Sequence, residues 1–171
     1  MDRCISDTST WMEGMKLTLN QSKTEFILIG IPQQLAKCSN MAINIGGNEI
    51  YALSCVRNLG AYFDKYMTME QHIKSKCKAA YAQLYNIGKV RKYLDHQSAK
   101  KLIHALVHSH INYCNVLLIG VPKYIIQKLQ MVQNTATRVL CRIGKYDHIT
   151  STLTSLSGSL WNLALNTIYV Y

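Results

Sequence analysis

The side chains most able to do chemistry lie between positions 104 and 114. His104 and His108 stand four residues apart, the spacing at which paired imidazoles on one helical face often hold zinc. Cys114 follows as a further soft ligand. Against a metal site, His110 points elsewhere on such a helix, and no glutamate completes an H-E-x-x-H arrangement. The spacing suits surface and core histidines better, and no metal ligand is assigned. The six cysteines, at 4, 38, 55, 77, 114 and 141, include no C-x-x-C pair. Scattered in this way they read as reduced thiols of a cytosolic or nuclear protein rather than a secreted one. Only composition speaks for a Cys–His nucleophile. Gly46-Gly47 sits inside an expected hairpin, not between a strand and a helix, so it is not a phosphate-cradling loop. Phosphoryl transfer on two metal ions needs closely placed carboxylates. The nine acidic residues include no adjacent Asp pair, and no catalytic residue is assigned.

One lysine stands apart. Leu19-Asn20-Gln21-Ser22-Lys23-Thr24-Glu25 runs directly into FILIG, which places Lys23 in a turn just before a buried strand. A lysine there can contact an anionic group beside the strand edge, or donate a proton to a leaving pyrophosphate. A plain surface lysine is the competing reading.

The elements that would carry these residues fall into two parts that meet near residue 66. In 1–66, residues 3–14 suit a short helix with Ile5, Trp11, Met12 and Met15 as a loose apolar face. Residues 24–31 read as a strand stopped by Pro32. Residues 33–40 read as a loop. Met41–Ile45 and Glu49–Leu53 form a hairpin about Gly46-Gly47. Val56–Phe63 is a further strand. From 67 to 156 the periods are helical. Thr68 would cap a helix to about Val90, with Ile73, Cys77, Ala80, Leu84 and Ile87 facing inward. Asp95 would cap the next, with Leu102, Leu106, Tyr113 and Leu117 on one side and Gly120 at its end. Pro122 would open a third, with Ile125, Leu129, Val132, Ala136 and Val139 at steps of three and four. The fold class is α+β: a small strand-bearing part, then a helical bundle.

Charge separates the two parts further. Nineteen Lys and Arg stand against nine Asp and Glu, a net charge of +10 that favours a polyanionic partner. No apolar run approaches the roughly 20 residues that a membrane-spanning helix needs. Met1-Asp2-Arg3 is not followed by the apolar stretch of a secretory signal. Residues 65–101 hold nine cations (Lys65, Lys74, Lys76, Lys78, Lys89, Arg91, Lys92, Lys100, Lys101) and two acids, Glu70 and Asp95. Lys74 and Lys78 share a helical face, and Tyr81, Tyr85 and Tyr93 interleave with the basic residues. This suits a helix lying along a phosphate backbone. A solvated helix with core tyrosines is the alternative.

Several phrases then resemble one family in order and spacing from about residue 5 to 156. LNQSKTEFILIG (19–30) looks like the L-N-x-x-K-T-E segment of LINE-type (non-LTR retrotransposon) reverse transcriptases. Asn58-Leu59-Gly60-Ala61-Tyr62-Phe63-Asp64 resembles Y-L-G-V-x-x-D, and His72 to Lys78 resembles H-I-x-x-x-C-K. ALVHSHINYCNVLL (105–118) resembles A-x-V-x-S-x-x-D-Y-C-N-x-L-L, and Gly120-Val121-Pro122 matches G-x-P. LQMVQNTATR (129–138) resembles L-Q-x-V-Q-N-x-A-A-R. Lys145-Tyr146-Asp147-His148-Ile149-Thr150 resembles K-x-D-H-I-T. Asn112 stands where the family has Asp, and His110 where Arg is common.

The resemblance implies that 1–66 is a partial palm, with Lys23 near the incoming nucleotide and the strands near the primer grip. It implies that 67–156 is the thumb that holds a template–primer duplex, so that Lys65, Lys74, Lys78, Lys89, Arg91, Lys92, Lys100 and Lys101 would contact nucleic acid. The partner would be an RNA–DNA or template–primer duplex, with no membrane and no small-molecule cofactor. Mg2+ is expected only of the intact enzyme, whose Y/F-A-D-D motif would lie upstream. The expectation is therefore a reverse-transcriptase fragment inactive alone. A non-enzymatic basic binding module and a non-functional reading frame are the alternatives. After Ser155-Leu156 the family continues H-W-L-P-V-E, whereas this chain reads SGSLWNLALNTIYVY. Codons for Ser-Leu-Trp-Asn can be read one base over as Leu-Pro-Val-Glu, so 157–171 is expected to be a frameshifted tail.

Overall fold

A computed structural model describes residues 2–38, 41–144 and 146–149. The expected frameshifted tail, 157–171, lies outside the described residues. The chain is α+β and divides into two compact units, 1–68 and 69–171.

The first unit begins with helix α1 (Asp2–Gly14). Its expected apolar face is only half used: Ile5 and Met12 are half-buried, while Trp11 and Met15 are exposed. The strand expected over 24–31 shrinks to β1 (Phe26–Ile27). Pro32 then opens a single helical turn, α2 (Pro32–Leu35), inside the expected loop. Strands β2 (Ala42–Ile45) and β3 (Asn48–Leu53) form the expected hairpin, with Ile43 opposite Ile50. Gly46 and Gly47 both take positive φ, the geometry that a two-residue hairpin turn requires. Strand β1 adds to β3 in parallel, Phe26 against Ala52, giving the order β1-β3-β2.

The expected strand Val56–Phe63 is instead a second hairpin, β4 (Cys55–Asn58) and β5 (Ala61–Asp64). Its turn residues Leu59 and Gly60 have φ of 47° and 81°. Asn58 and Gly60 are the turn signals on either side, whereas Leu59 is unusual at positive φ because its Cβ makes this conformation costly. Among the described residues of this unit the buried apolar side chains are Phe26, Ile45 and Ala61.

The second unit opens with helix α3 (Glu70–Val90). Thr68 does not cap it. The Thr68 hydroxyl and N–H both donate to the Asp64 carboxylate, at 3.1 and 3.0 Å, and Met69, at φ 59°, precedes the helix instead. The inward stripe is as the spacing predicts: Ile73, Cys77, Ala80, Leu84 and Ile87 are all buried. Asp95 does cap α4 (His96–Ile103), accepting from the N–H of Gln97 and Ser98. The helix then widens into a π turn over His104–His108 and ends as α5 (Ser109–Ile111).

Of the expected stripe Leu102, Leu106, Tyr113 and Leu117, Leu102 and Leu117 pack at the edge of the core and Leu106 and Tyr113 are exposed. The buried apolar side chains are Ala99, Ile103, Val107 and Ile111, four residues apart throughout. At about 100° per residue, each step of four overshoots one α-helical turn by about 40°. The wider turn absorbs that drift and keeps the row on the core. Helix α6 (Lys123–Cys141) follows Pro122 and contributes Ile125, Ile126, Leu129, Val132, Ala136 and Leu140. Val139, expected inside, is half-buried, and Leu140 takes its place. The α3, α4–α5 and α6 rows merge into one apolar core. Among the described residues no helix is long and apolar enough to cross a membrane.

Leu59 is 87 % exposed and sits in the left-handed region, so its side chain gains little from burial there. Leu59→Asn is expected to stabilise the β4–β5 hairpin by about 1 kcal/mol, because Asn tolerates that conformation. Slower hydrogen exchange at the β4–β5 amides checks it, and unchanged or faster exchange counts against it.

Candidate nucleic-acid interface

The net charge belongs to one unit. Residues 1–68 hold six basic and six acidic side chains, whereas 69–171 hold thirteen basic and three acidic. The second unit therefore carries the entire excess of ten positive charges.

Its arginines and lysines do different work. The Arg91 side chain is only 8 % exposed at the end of α3. Its Nη2 donates to the Leu140 carbonyl at 2.7 Å, its Nη1 to Leu94 at 2.8 Å, and its Nε to Val139 and Leu140, each at 3.2 Å. The last carbonyls of a helix have no intrahelical partner and lie at its negative end, so a buried guanidinium satisfies them with both hydrogen bonds and charge. Arg142 donates back to the Arg91 carbonyl at 2.9 Å. Arg138 clamps the chain beyond α6 through the carbonyls of Gly144 (2.6 Å) and Asp147 (2.8 Å), while Asp147 accepts from the Gly144 N–H. Sequence reasoning put Arg91 among the nucleic-acid contacts. Its burial removes it from that set: the guanidinium lies inside, with Nε, Nη1 and Nη2 all bonded to internal carbonyls.

The lysines face outward. Lys74, Lys78, Lys89, Lys92 and Lys101 are exposed and Lys100 is half-buried. Taking about 100° per residue, Lys74, Lys78, Tyr81, Tyr85 and Lys89 fall within an arc of about 80° on α3. They run for about 22 Å along its axis. This arc lies away from the stripe that packs on the core. Tyr85 is 66 % exposed and Tyr93 78 %, so these two are not core tyrosines, while Tyr81 is 39 % exposed. Lys89 Nζ sits 4.3 Å from the Tyr85 ring centre, and Lys92 Nζ 4.7 Å from that of Tyr93. Lys76, in the same basic run, lies 3.8 Å over the half-exposed Tyr113 ring. Of the acids, Glu70 pairs with Lys128 at 2.8 Å and Asp95 caps α4.

Lys65 and Lys23 belong to the first unit. Lys65 stacks on Tyr66 at 4.9 Å. Lys23 is exposed at the end of a single 3-10 turn before β1, organised by Asn20, whose carbonyl accepts from Thr24 and whose side chain accepts from Ser22.

The histidines do not assemble. His104 is exposed, His108 is buried at 4 % exposure, and their ring centres are 5.5 Å apart. Among the described residues no three His, Cys, Asp or Glu side chains converge, so the residues present do not fit a two-metal centre. Burial, with some repulsion from His104, pushes His108 down to about 4. Burial also lowers His72, whose Nε2 lies 3.4 Å from the Tyr113 carbonyl. No family model, curated protein or solved structure matches the chain.

Two outcomes are expected. Arg91→Ala strands buried carbonyls and should lower the stability of the second unit by about 2–4 kcal/mol, with Arg91→Lys recovering only part; chemical denaturation reads both. His108 takes up a proton below about 6.5 when unfolded but only near 4 when folded, so stability present above pH 6.5 is lost as pH falls towards 4. The loss should reach up to about 3 kcal/mol and should shrink in His108→Leu. A melting temperature that does not fall between pH 7 and 4.5 rules it out.

Proposed function

We propose that the chain derives from the palm and thumb of a LINE-type reverse transcriptase, and that its second unit grips a template–primer duplex through phosphates. The observation that carries this reading is the outward row Lys74, Lys78 and Lys89 on a unit that holds all the net positive charge. A straight basic helix face neutralises backbone phosphates without reading bases, which is what a polymerase needs of any template. Lys92, just after α3, and Lys101, on α4, are exposed as well. Phosphoryl transfer is not assigned to these residues. Among the described residues Glu70 pairs with Lys128, Asp95 caps α4 and Asp64 holds Thr68, and the sequence has no adjacent acidic pair.

Binding of an RNA–DNA hybrid across a salt series tests the reading. Affinity should fall as salt rises, with a log–log slope of about −3 to −5, given about 0.9 counterions released per phosphate neutralised. The triple variant Lys74→Ala/Lys78→Ala/Lys89→Ala should flatten that slope by about 2 to 3. Primer extension with Mg2+ should give no product. Absence of hybrid binding at low salt, or an unchanged slope in the variant, defeats the proposal.

A further inference from the structure

On the α3 face, the aromatic residues occupy the middle and the lysines the ends. Along the axis the order is Lys74, Lys78, Tyr81, Tyr85, Lys89, and the exposed pair Lys92 and Tyr93 follows where the helix closes. A duplex offers this face phosphates alone, because its base faces are already stacked on one another. Rings as open as Tyr85 and Tyr93 find a matching surface only where bases are unpaired.

From this order we infer that the α3 face binds an unpaired nucleic-acid strand, its bases stacking on Tyr81 and Tyr85 and its phosphates held by Lys74, Lys78 and Lys89. The inference rests on the proposed phosphate grip and adds the form of nucleic acid that the face prefers. Charge complementarity supports it, since the unit carries thirteen basic side chains against three acidic ones. The neighbouring acids are engaged elsewhere: Glu70 with Lys128, and Asp95 with the start of α4. The lysine over Tyr85, at 4.3 Å, marks that ring face as one already occupied by a cation. An arriving base would displace the ammonium from the ring towards the phosphate beside it, so stacking and charge neutralisation would be gained together.

Fluorescence anisotropy of the full chain, with a labelled single-stranded oligouridylate of about 12 nucleotides and an RNA–DNA hybrid of the same length, separates the possibilities. The wild type should bind the single strand at least as tightly as the hybrid. Tyr81→Ala/Tyr85→Ala should lose about tenfold or more on the single strand and under about threefold on the hybrid. Tyr81→Phe/Tyr85→Phe keeps the rings and should bind both probes like the wild type. Equal loss on both probes, no loss on either, or failure of the Phe variant overturns the stacking inference. The Lys74→Ala/Lys78→Ala/Lys89→Ala variant reports on the grip separately: weak binding to both probes leaves the grip standing, and wild-type binding removes both readings. Retained helical circular dichroism in each variant keeps these outcomes interpretable.

Discussion

The seam between α3 and α6 decides what the second unit can present. Burying Ile73, Cys77, Ala80, Leu84 and Ile87 against the α6 row fixes the rotation of α3, and a fixed rotation leaves only one face outward. Arg91 closes the seam at its far end by carrying α3's last turn onto the last carbonyls of α6. The spacing of Lys74, Lys78 and Lys89 already sets them in one line along α3. The seam decides that this line faces outward.

The cations divide by chemistry. A guanidinium offers a planar fork of donors that can satisfy several carbonyls at once, and all three arginines of this unit are used in that way. An ammonium on a flexible stem is a strongly hydrated point charge that loses most by burial, and Lys74, Lys78 and Lys89 of α3 remain in water. Counting Lys and Arg together, as a basic-stretch argument does, merges two populations with opposite destinations.

What was legible in the sequence follows from which signals are local. The α3 stripe, the Asp95 cap and the Gly46-Gly47 turn each rest on residues within a few positions of one another, and each stands in the structure. The second hairpin was missed although Asn58 and Gly60 mark its turn, because Leu59, at positive φ between them, fits a strand better than a turn. The cap at Thr68 failed because α3 starts one residue later than expected, with Met69 in the left-handed region at the position that precedes it. Arg91 was misassigned because its partners lie some fifty positions ahead, beyond any local pattern. In the candidate interface, the shared face of Lys74 and Lys78 was readable from spacing, whereas the exposure of the tyrosines required the packed bundle. Palm and thumb identities rest on resemblance and have no counterpart in local physics.

The π turn at His104–His108 has a consequence for the length of the chain. Its buried neighbours stand at 99, 103, 107 and 111; removing one residue between 103 and 107 would leave gaps of four, three and four, the repeat of an ordinary α-helix. The bulge therefore behaves as a stored insertion. The helix could shed one residue there by tightening a single turn, with the same apolar side chains still meeting the core. Few places in a packed bundle offer such slack, since elsewhere a lost residue would rotate everything downstream by about 100°.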